Sequence, residues 1–103
     1  MEKLEKLKEY VRVEWFNRAH SWQGDNHYSK LITAPDDVEH VIQCGASVLM
    51  TRYPELGGYP GGSFVQAVVN NDLMDAFGRA DNVNQIAMKF YLELLYNFSP
   101  DKI

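Results

Sequence analysis

The sequence predicts an all-α fold, a small helical bundle of three longer helices with two short ones between Gly62 and Ala80. Three observations predict it. Apolar residues recur at spacings of three and four in three separate stretches, the period of a helix with one buried face. Pro35, Pro54 and Pro100 stand where those stretches begin or end. Residues 57–62, GGYPGG, put four glycines and a proline into six positions, a composition suited to a loop with unusual backbone angles. The chain has 103 residues, which is the length of one domain, 1–103. It is 46 % hydrophobic, 13 % aromatic and 23 % charged, a globular balance and not a disordered one.

Residues 2–19 read as the first helix, with Leu4, Leu7, Val11 and Trp15 on one stripe. A strand competes over 10–16, because Val11, Val13 and Trp15 alternate with Arg12 and Glu14. The length of the periodic run favours the helix. Residues 20–32 are the least regular part, with a turn at Gly24, Asp25 and Asn26 flanked by Trp22, His27 and Tyr28.

The second helix starts near Pro35. Thr33 is the expected cap, with Asp36 in capping-box register. Val38, Val41, Ile42, Val48 and Leu49 make its buried stripe, and Gly45 and Ala46 within it leave room for a neighbouring helix. Ser63 is expected to cap a short helix that Asn70 and Asn71 break, and Asn71 to cap the next one, on which Asp75 and Arg79 pair at i,i+4. Phe64, Val68, Leu73, Met74 and Phe77 are expected to pack these two short helices against the last one.

Asp81 or Asn82 caps the last helix, which runs to about Phe98. Its polar strip is narrow: Gln85, Lys89, Glu93 and Asn97. A helix apolar nearly all round is either central or shared with a partner. Met88, Tyr91, Leu92, Leu95 and Tyr96 are therefore the expected interface of a homo-oligomer, a dimer or larger.

Charge and cysteine content exclude several classes. Ten basic and fourteen acidic residues leave a net charge of −4, and the basic residues of the first helix (Lys3, Lys6, Lys8, Arg12) alternate with Glu2, Glu5, Glu9 and Glu14. Binding of nucleic acid by a basic face is not expected. The single cysteine, Cys44, allows no internal disulfide, and no run of 18 apolar residues exists to span a membrane. A cytoplasmic location is expected.

Residues 57–100 carry a pattern of Gly61, Gly62 and Phe64, then Asn71, Asp72 and Leu73, then Arg79, Ala80 and Asp81, then Tyr96 and Asn97. The pattern resembles short proteins of unknown function encoded by phages, prophages and plasmids. The resemblance covers a little under half of the chain. It implies a mobile-element accessory protein in the cytoplasm of a bacterial host, and it carries over no catalytic residue.

Three constellations are candidates for chemistry. His40 and Cys44 are i,i+4, a spacing that suits zinc, with His20 and His27 available to complete a set. A small buried thiol beside a partly exposed imidazole is the simpler reading, and no metal or cofactor is expected. The 57–63 turn feeds a helix N-terminus and so suits an anion, yet it lacks the Lys-Ser/Thr ending of a phosphate loop. Asn71, Asp72, Asp75, Arg79, Asp81 and Asn84 cluster within fourteen residues. With Gly61, Gly62 and Ser63, the set Asn71, Asp72, Arg79, Asp81 and Asn84 is the candidate ligand site.

No serine lies in a nucleophile-elbow context, and Cys44 lies near a buried helix face. An enzyme is not expected. The first expectation is a phage or mobile-element accessory protein that binds or inhibits a host bacterial protein. The alternative is a homo-oligomer that holds a nucleotide-like ligand at the Gly57–Ser63 turn and the Asn71–Asn84 cluster.

Overall fold

The computed structural model describes residues 2–19, 31–56 and 61–103. Every regular element among them is helical: α1 (Glu2–Ala19), α2 (Pro35–Arg52), α3 (Ser63–Val69), α4 (Leu73–Arg79) and α5 (Asn82–Asn97), with 3₁₀ turns at Pro54–Leu56 and Pro100–Lys102. The expected turn at Gly24–Asn26, its aromatic neighbours and residues 57–60 lie outside the described residues. No described helix is long and apolar enough to cross a membrane.

α1 settles the competition between helix and strand. A strand would put Val11, Val13 and Trp15 on one face. Instead Leu7, Val11 and Trp15, four apart, are buried, while Val13 is 47 % exposed. The helical period therefore decides which side chains leave water.

α2 lies at the centre and packs against α1, α3 and α5. Gly45 makes this close approach feasible. A Cβ at that position would stand 2.9 Å from both Val11 Cγ1 of α1 and Leu94 Cδ1 of α5. Val41, Ile42, Ala46, Val48 and Leu49 complete the buried face, with Val38 half-buried at its edge. Burial of each such aliphatic side chain stabilises the fold by about 1.5–3 kcal/mol. Ring contacts tie the outer elements together: Trp15 meets Phe90 edge-on at 5.0 Å, and Phe98 sits 5.0 Å from Tyr10 and 5.4 Å from Tyr53. The Tyr53 hydroxyl also donates to the Phe98 carbonyl at 3.2 Å. On the outside, the Arg12 guanidinium bridges α1 to Glu39 of α2 at 3.0 Å.

Three expected caps fall one residue from the observed boundary. Ala34, not Thr33, is the α2 N-cap, and no side chain caps that end. Pro35 forces an extended conformation on the residue before it, so the helix cannot begin earlier. Gly62, not Ser63, precedes α3. Asn71 does not cap α4. It adopts a left-handed conformation (φ 62°) that reverses the chain, and Asp72 caps the helix by accepting from Asp75 N at 3.2 Å. Of the two residues considered for α5, Asp81 is the cap, accepting from Asn84 N at 2.7 Å.

The expected packing of α4 on the last helix is also corrected. α4 packs against α3, and Ala76 is its only buried residue. Met74 points outward, and Leu73 and Phe77 stay partly exposed. Two helical turns present one narrow face to a neighbour, and here that face is the alanine. Phe64 and Val68 behave as expected: Val68 is buried, and Phe64 meets Tyr91 at 6.0 Å.

Candidate functional site

The last helix is covered on more sides than its composition predicts. Met88 and Tyr91, expected at an interface, are buried within their own chain, Tyr91 completely. Their faces are occupied by α2 and by Phe64 of α3. Leu92 and Leu95 are half-buried. Of the five expected interface residues, only Tyr96 stands out in water, at 90 % exposed.

Between α2 and the buried side of α5 lies a polar network that the sequence did not join. The Tyr91 hydroxyl donates to Asn84 Oδ1 at 2.5 Å, and Asn84 is 7 % exposed. Cys44, half-buried on α2, lies close enough to both to interact with them electrostatically. Burial pushes the Cys44 thiol and the Tyr91 phenol above their ordinary ranges. One turn before Cys44, His40 Nε2 lies 3.2 Å from Asp81 Oδ2, so the α5 cap is also tied to α2.

The i,i+4 spacing of His40 and Cys44 thus faces Asp81, Asn84 and Tyr91. A thiol held protonated by burial is a poor nucleophile and a poor metal ligand. No group of three His, Cys, Asp or Glu side chains converges among the described residues. His20 and His27 lie outside them. The network's chemistry is that of a satisfied buried cluster.

The eight expected ligand-binding residues divide among separate places. Gly61 sits at the C-terminal half of α2: its N–H donates to Thr51 Oγ1 at 2.8 Å, and its carbonyl accepts from Gln66. Gly62 and Ser63 begin α3 there. Asn71 and Asp72 form the turn into α4, and Arg79 donates to Asp75 at 2.9 Å on that helix. Asp81 and Asn84 stand beside His40 and Cys44. Eleven residue steps take α2 from His40 to Thr51, about 16 Å along the helix. The two groups of donors therefore do not close on one ligand. Local hydrogen bonds occupy Gly61, Asp72, Arg79, Asp81 and Asn84.

A different concavity gathers residues from three elements. Val68 and Val69 end α3, Asn71 follows in the turn, and Leu92, Leu95 and Tyr96 lie on α5. Together with Arg52 of α2 they line a groove of about 360 Å³. Arg12 and Arg79 are paired with carboxylates. Arg52 is not: its guanidinium lies over the Tyr53 ring, 5.0 Å from the centroid, and it has no carboxylate partner among the described residues. Next to this groove the chain enters α4, with Leu73 39 %, Met74 90 % and Phe77 45 % exposed.

Sequence reasoning placed Leu92, Leu95 and Tyr96 on a surface but missed Arg52 and the outward face of α4. The 73, 74, 77 spacing is a helical face, and nothing in it says whether that face turns in or out. No protein-family model, curated protein or solved structure matches this chain.

Proposed function

We propose that this chain is a protein-binding accessory protein of the mobile-element kind, a bundle of three longer and two short helices that binds a host bacterial protein. One observation carries the proposal: Met74 and Tyr96 are large apolar side chains held on regular helices and left in water, with Leu73 and Phe77 partly exposed beside Met74. A fold that covers Tyr91 and Phe90 completely has no structural need for them outside. Exposed apolar groups in one region mark protein contact sites. Aromatic residues in particular anchor such contacts. The protonated Cys44 thiol and the internally paired polar groups favour binding over catalysis.

The test is capture from bacterial lysate by the intact chain, with Met74→Asp and Phe77→Asp as comparisons. A specific host protein retained by the wild type and lost by both variants is the expected result. No protein above background, or one held equally by all three, would sink the proposal. For the nucleotide alternative, whose described residues lie in separate places, a thermal-shift screen is the test, because a ligand bound tightly to the folded state raises Tm.

A further inference from the structure

We draw no further inference here: the strongest candidate, the apolar groove between α3 and α5 with the Met74 side of α4 beside it, carries nothing, because nothing in the structure shows what covers it.

Discussion

Alanine at Gly45 and alanine at Gly78 should shift stability in opposite directions. Both glycines are helical, Gly45 within α2 and Gly78 within α4. Replacing glycine by alanine in a helix interior gains about 0.5–1 kcal/mol through the backbone alone. At Gly78 nothing lies within 4 Å of the new methyl, so the gain is kept. At Gly45 the methyl meets Val11 Cγ1 and Leu94 Cδ1, both at 2.9 Å. Neither can retreat easily: both are buried, and a β-branched valine in a helix has essentially one χ1 well.

Overpacking of this kind costs about 1–3 kcal/mol. With two contacts compressed together, the upper half of that range applies. The net for Gly45→Ala is a loss of about 1–2 kcal/mol. One kcal/mol moves Tm by about 4–8 °C in a domain of this size. Urea unfolding followed by far-UV circular dichroism should place the Gly45→Ala midpoint below the wild type and the Gly78→Ala midpoint above it. If Gly45→Ala is as stable as the wild type or more so, the close approach of α1 and α5 to α2 is wrong.

Three more outcomes follow from the α2–α5 contact. Tyr91→Phe leaves the buried Asn84 Oδ1 without its donor and should cost about 1–3 kcal/mol in urea unfolding, part of it regained in the Tyr91→Phe, Asn84→Leu double variant. Asp81→Ala removes the α5 cap and the link to His40 and should cost about 1 kcal/mol, nearly all of it from the cap, because a half-exposed ion pair contributes little. Cys44 should make stability fall in alkaline solution. Its folded pKa is raised, so the unfolded chain loses the thiol proton first; the contribution is whole below the ordinary thiol pKa and is lost as pH climbs through the folded value. The decline should be shallower in Cys44→Ala, what is left coming from the phenol of Tyr91, which burial also raises, and a wild type with no decline would contradict the burial of the thiol.

Much of the backbone plan was legible because it is written locally. Periodicity located α1, Pro35 and Pro54 bounded α2, and the small pair Gly45–Ala46 announced a close helix contact that the packing of Val11 and Leu94 bears out. Caps were misplaced by one residue at Thr33, Ser63 and Asn71, since the boundary depends on backbone angles that neighbours impose. The candidate site was less legible. Tyr91 and Tyr96 share one helix and one residue type, yet one is buried and the other is in water. That difference is decided by where α2 and Phe64 lie, about which the α5 sequence says nothing. The link from Cys44 to Asn84 and Tyr91 joins residues at least 40 positions apart, beyond the reach of any spacing rule.

α4 is two turns long, and Ala76 is its one fully buried side chain, with a hydrogen bond from Gln85 of α5 to the Phe77 carbonyl as a further tie. Segments with so little buried area open well before global unfolding, so its amides should be among the first to exchange with deuterium. The side chains that would grip a partner are therefore mounted on a segment whose closed population is itself adjustable. Any occupant contributes to ordering it, and measured affinity includes that ordering free energy. Gly78→Ala, remote from the contact side chains in chemistry but not in consequence, should slow deuterium uptake over 73–79 and tighten association through the same shift in population.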